Sequence, residues 1–178
     1  MPFDRPAAPG ALAELAEFLN SAWFLRAEDA FERLPDARAW LSEHGYARAA
    51  RTLTNAKRMS IVDARELMRG YLRGQRAARD KLTGLAAELL GSPRWTEDGP
   101  DIPVARGSAV RELIGAQLRI LTIAGILGQA ERLKVCRAPD CRFVFYDRSP
   151  SNTGTWCSME ICGARHKMRA YRARRRQT

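Results

Sequence analysis

Cys136-Arg137-Ala138-Pro139-Asp140-Cys141 and, after an interval of fifteen residues, Cys157-Ser158-Met159-Glu160-Ile161-Cys162 hold all four cysteines of the 178-residue chain. The spacing C-x4-C-x15-C-x4-C has a direct chemical reading. Four thiolates about 2.3 Å from one tetrahedral zinc ion need two chain reversals that each present a pair, and a connection long enough to bring the pairs together. Between the pairs, Phe143-Val144-Phe145-Tyr146 reads as a strand, Pro150-Ser151-Asn152-Thr153-Gly154 as a turn, and Thr155-Trp156 as the returning strand, with Cys157 and Cys162 at the start of a helix. The alternative is two disulfides, for which four cysteines allow three connectivities; a reducing cytoplasm disfavours it.

A segment this short buries too little apolar surface to fold alone. Metal binding and folding of the end are therefore expected to be one event, and the single Zn2+ at Cys136, Cys141, Cys157 and Cys162 to be structural. Phe143, Phe145, Trp156, Ile161, Met168 and Tyr171 are the predicted satellite core. His166, four residues after Cys162, reads as a surface or packing residue rather than a ligand.

Charge gathers around the same segment. Residues 132 to 178 carry twelve Lys and Arg against three acids, +9 of the chain's net +10. A near-neutral body joined to a strongly basic end is the layout of a protein that grips a polyanion. From Cys162 onward Arg165, Arg169, Arg172 and Arg176 recur at helical spacing, with Lys167 and Arg174 to the side. These, with Arg148 and Arg175, are the candidate nucleic-acid contacts. Such a helix fits a major groove or lies along phosphates, and the arginines nearest the terminus suit phosphate contact better than base reading.

The first 131 residues predict a helical domain. Gly10 to Phe24 spaces Leu12, Leu15, Ala16, Leu19 and Trp23 as one helix, and Pro35-Asp36 opens a second through Trp40 and Leu41, stopped by Gly45. Asp63 and Glu66 resemble a capping pair opening a helix over Leu67, Met68, Tyr71 and Leu72, weakened by Gly70 and Gly74. Arg76 to Leu90 forms the next. Glu97-Asp98-Gly99-Pro100 between Trp95 and Ile102 suggests a small hairpin. Ser108 opens a long helix with Val110, Leu113, Ile114, Leu118, Leu121, Ile126 and Leu127 on its apolar face, either the spine of the core or a homodimer face. The predicted class is therefore mainly α (α+β), a helical domain 1–131 with a small β-hairpin and a four-cysteine zinc finger at 132–178.

The end of the chain resembles the zinc finger family named for its Cys-Gly-Asn-Arg signature. The matching residues are Cys136, Cys141, Phe145, Tyr146, Asp147, Ser149, Trp156-Cys157-Ser158-Met159, Cys162-Gly163, Arg165, Lys167 and Tyr171-Arg172-Ala173-Arg174. More loosely, Glu17-Phe18-Leu19-Asn20-Ser21, Trp40-Leu41 and Gly45 look like the ABATE domain that precedes this finger. The resemblance implies a bacterial stress-induced transcription regulator, with a sensing N-terminal domain and a treble-clef-like finger that binds DNA. Two positions depart from the pattern. The signature's Asn is Ala164, and the family's arginines before the tryptophan are replaced by Ser151 to Thr155.

The leading expectation is a zinc-dependent, duplex-DNA-binding transcription regulator, with an RNA-binding or protein-interaction zinc module as the alternative. Asn20, Trp23 and Trp40 are candidates to line a pocket for a small-molecule effector. No P-loop, GxGxxG or G-x-S-x-G occurs, so an enzyme is not expected. No apolar run reaches the roughly 20 residues of a spanning helix, and Met1 to Pro6 lacks the order of a secretory signal, so no membrane association and a cytoplasmic location are expected.

Overall fold

A computed structural model describes residues 6–176; Met1 to Arg5, on which most of the signal-sequence reading falls, lie outside the described residues. Helix α1 (Ala11–Leu19) buries Leu12, Leu15, Ala16, Phe18 and Leu19. It stops earlier than the apolar spacing predicts. Trp23 lies instead in a two-residue strand β1 (Ala22–Trp23), paired antiparallel with β2 (Glu28–Asp29). Helix α2 (Leu34–Glu43) carries Pro35 in its first turn, as expected, and the chain turns at Gly45, whose φ of 83° suits a residue without Cβ. A short helix α3 (Ala47–Arg51) follows.

Helix α4 (Asn55–Leu72) begins eight residues before the Asp63-Glu66 pair. Its cap is Thr54, whose hydroxyl accepts from the Lys57 amide, and Glu66 is occupied otherwise. Gly70 marks close helix packing: a Cβ there would lie 3.1 Å from the Ala78 methyl of α5 (Arg76–Leu89) and 2.6 Å from Gln75 Oε1. The predicted hairpin is present as β3 (Arg94–Thr96) and β4 (Gly99–Asp101).

Helix α6 (Ala109–Ile126), capped by Ser108, packs against α1, α3, α4 and α5. Val110, Leu113, Ile114, Leu118 and Leu121 are buried in the chain's own core, so the face weighed as a dimer surface is covered from within. Ile126 and Leu127, predicted on the same stripe, are 73% and 62% exposed. They lie at the helix end, past the last turn covered by neighbouring helices. Among the described residues no helix is long and apolar enough to cross a membrane.

The cysteine segment opens with β5 (Leu133–Val135), which pairs antiparallel with β6 (Val144–Tyr146). This corrects the expected hairpin. Val144 to Tyr146 pairs with the residues before Cys136, and the segment around Thr155 contributes one backbone bond, from the Arg137 amide to the Thr155 carbonyl. Leu133, Val135 and Val144 belong to the main core, so apolar packing runs straight across the boundary placed near Arg132. Asn20 reinforces the join, its side-chain amide donating to the Val144 carbonyl and accepting from the Val144 amide, both at 2.8 Å. A π-helical turn (Met159–Gly163), capped by Ser158, leads into α7 (Ala164–Arg175).

Candidate metal centre

Each thiol pair sits where the chain reverses under local hydrogen bonds. The Cys136 amide donates to the Phe143 carbonyl at 2.8 Å, and the Cys141 amide to the Ala138 carbonyl at 3.0 Å, folding the first knuckle between β5 and β6. The second pair straddles the capped π turn, where the Cys162 amide donates to the Ser158 carbonyl. All four side chains are buried, and one Sγ from each lies within 4.8 Å of every other. Phe143 and Phe145 close over the cluster, with Trp23 and Trp156 at its margin.

The separations decide between the two sequence readings. Cys141 and Cys157 are 3.5 Å apart at sulfur, and Cys157 and Cys162 3.6 Å. A disulfide needs about 2.05 Å. Sulfurs at the corners of a tetrahedron about 2.3 Å from its centre lie about 3.8 Å apart. Proton chemistry agrees. Hydrogen bonds from Cys141 and Cys157 hold the Cys136 thiol well below its ordinary value, while Cys141 is pushed up by its hydrogen bond with the Cys136 sulfur. The Cys157 thiol is also raised, chiefly by Cys136 and Cys141, and the Cys162 thiol by burial. Four thiolates this close cannot coexist without a cation among them, and a divalent metal supplies it.

Residues 132–175 match the family model of the CGNR zinc finger. The four cysteines of the finger form a site for one structural Zn2+. No curated protein matches the chain.

The finger's loop is organised on one buried carboxylate. Asp147, 2% exposed, accepts from the Ser149 amide at 3.0 Å and the Gly154 amide at 2.6 Å, and pairs with Lys134 at 3.2 Å. Burial raises its carboxyl, but bonds from Ser149, Gly154 and Lys134 outweigh that and hold it well below the usual carboxylate range. A Cβ at Gly154 would lie 2.7 Å from Asp147 Oδ2, so only glycine lets the backbone approach. Ser151 to Thr155 thus builds a turn on a buried carboxylate.

The candidate nucleic-acid residues fall into two groups. Arg165 is bonded to Asp140, and Arg169 approaches the same carboxylate at 3.6 Å. Arg148 donates to the Ala7 carbonyl at 2.7 Å. Lys167, Arg172, Arg174, Arg175 and Arg176 are exposed, with Arg175 over the Tyr171 ring. The predicted satellite core is corrected here. Phe143 and Phe145 are buried and Trp156 partly so, but Ile161, Met168 and Tyr171 are 39%, 50% and 48% exposed. Helix α7 has no buried residue among those described, because no element lies over its apolar stripe. His166 packs on Trp156 with ring centroids 4.8 Å apart.

The three residues expected to line an effector pocket are engaged separately within the fold. Asn20 holds Val144, Trp23 packs edge-on to Phe143 under Arg26, and Trp40 lies against Phe31, His44 and Tyr46.

Sequence reasoning overlooked a group of charges on α4. Arg65 and Arg69, each 1% exposed, meet Asp29 and Glu66 beside Arg142 of the finger. A signal was available: positions 61, 65 and 68 share one helical stripe, so Arg65 stands between two residues, Ile61 and Met68, that read as core.

Proposed function

We propose that this chain is a zinc-dependent, DNA-binding transcription regulator whose helix α7 contacts duplex DNA and whose helical body receives a small-molecule effector. The observation that carries the DNA reading is α7 itself, a helix anchored at one end by the zinc site, bearing exposed cations and with no side chain buried among the described residues. A helix that contributes nothing to the core yet carries Lys167, Arg172, Arg174, Arg175 and Arg176 is laid out for an external polyanion. Asp140 binds the guanidinium of Arg165 at the base of the helix and so sets the direction in which α7 leaves the finger.

Salt dependence tests this reading. About five phosphate contacts predict a log–log slope near −4.5 for binding to a random duplex pool. A slope near zero, or structured RNA outcompeting duplex at one salt concentration, would reject DNA as the target. A second reading, a protein-interaction module, is favoured by the exposure of Met159, Ile161, Met168 and Tyr171 next to those cations. It predicts that Met168→Ser weakens partner binding and leaves the salt slope unchanged.

A further inference from the structure

Burying a guanidinium is costly unless its charge and donors are matched. Between α4 and the first knuckle of the finger, a cleft of about 380 Å³ is lined by Arg65, Arg69, Arg73, Arg142, Asp29 and Glu66, with Phe24 at its wall. Arg65 is fully matched: it grips both Asp29 oxygens at 2.7 and 2.6 Å and donates to Ser21 and Glu66. Beyond that pair, the single carboxylate of Glu66 faces three cations. It accepts from Arg69 at 2.5 Å, stands 3.8 Å from Arg142, and is shared with Arg65 Nε. Arg73 has no acidic partner among the described residues. The lining therefore carries two more positive charges than negative.

Two further observations point the same way. Arg69 Nε is buried with no hydrogen-bond partner, although Nη2 donates to the Leu19 carbonyl. Arg142 holds a φ of 52°, a left-handed backbone that an arginine adopts at a cost, and in that conformation its guanidinium lies 3.9 Å from the centre of the Phe24 ring. Arg69 lies near the same ring, at 5.0 Å. Two guanidiniums are thus brought to one aromatic platform beside an under-neutralised cleft, an arrangement suited to an oxyanion, which arginine binds through paired hydrogen bonds.

We propose that this cleft binds a small organic anion through a carboxylate or phosphate group held by Arg142 and Arg73, with the buried charge of Arg69 behind them. The volume suits a compact metabolite-sized ligand. Because Arg142 follows Cys141 directly, the ligand spans α4 of the body and the first metal-binding knuckle, and couples the two. The proposal deepens the effector part of the functional reading and is independent of DNA binding.

Titration calorimetry on the zinc-loaded full chain without nucleic acid, using inorganic phosphate and succinate as probes at low ionic strength, tests it. At least one probe is expected to bind saturably with one-to-one stoichiometry. Arg142→Gln and Arg73→Gln, both at solvent-accessible positions, are each expected to weaken it about tenfold or more, the effect of losing one charge-assisted contact. The tail variant Arg172→Gln/Arg175→Gln is expected to bind like the unaltered chain. Absence of saturable binding by either probe, or a loss in the tail variant matching that in the cleft variants, would overturn the proposal. Neither result would bear on the salt slope for DNA.

Discussion

Among the described residues Arg65 and Arg69 are the largest side chains fully withdrawn from solvent, and their neighbours show how the cost is met. For Asp29, burial raises the carboxyl, but bonds from Arg65 and the Phe31 amide, with the charges of Arg65 and Arg69, bring it below the ordinary value. A carboxyl depressed in the folded state stabilises the fold above its unfolded pKa of about 3.9 and loses that contribution as pH falls through the folded value. Asp147 acts in the same sense. The contribution of these two carboxyls is therefore expected to be level from pH 7 to about 5 and to decline below about 4, as read for Asp29 by the difference in denaturant midpoint between the unaltered chain and Asp29→Asn. Asp29→Asn leaves Arg65 buried against a neutral partner and should cost about 3 kcal/mol. Gly154→Ala, by forcing a methyl onto the Asp147 carboxylate, should cost about 1–3 kcal/mol. At this scale the sequence was legible where chemistry restricts the residue type. Four cysteines in pairs announce a metal, because little else needs four thiols. The arginines of α4 were silent because a cation on a core stripe reads as an exception to periodicity until its acidic partner, 36 residues away, is seen beside it.

Elements were legible in proportion to their local signals. Ser108 and the apolar stripe of α6 placed that helix correctly, and the turn residues placed β3–β4. The start of α4 was missed because Thr54 caps with its hydroxyl alone, without an acidic residue three positions later, whereas Asp63 and Glu66 offer that spacing further along. The partner of β6 was misjudged for another reason: pairing is settled by what lies under the strands. Leu133, Val135 and Val144 share the main core, whereas the segment around Thr155 is held by the Asp147 turn. Helix α7 shows where periodicity misleads, since Ile161, Met168 and Tyr171 form a regular stripe that stays exposed among the described residues. With no buried contacts, its amides are expected to exchange faster than those of α6 by several orders of magnitude in native-state hydrogen exchange. Exchange in α7 as slow as in α6 would show that another surface covers it. Ala164, exposed at the first position of α7, can accept the signature's asparagine without a clash; Ala164→Asn is expected to leave the metal content at one per chain while changing the affinity for duplex DNA.

At the scale of the whole molecule, the finger is divided between two supports. Its β5–β6 hairpin packs into the helical core, while the π turn and α7 depend on the four sulfurs. Removing the metal with a chelator, or Cys141→Ser, should therefore melt the second part and leave the first. Of 86 α-helical residues among those described, 12 lie in α7, so far-ultraviolet circular dichroism is expected to lose about one seventh of its helical signal, with the near-ultraviolet bands of the body retained. Loss of the whole signal would show that the metal holds the body as well. The two-point bond between Asn20 and Val144 closes residues 124 apart in sequence. During synthesis helix α1 leaves the ribosome long before its partner strand exists, so Asn20 waits, open to solvent, until β6 has emerged. The nascent body is thus left with an unfilled edge that only β6 can seal, and released chains truncated before Val144 should be markedly more sensitive to protease than the chain that includes β6.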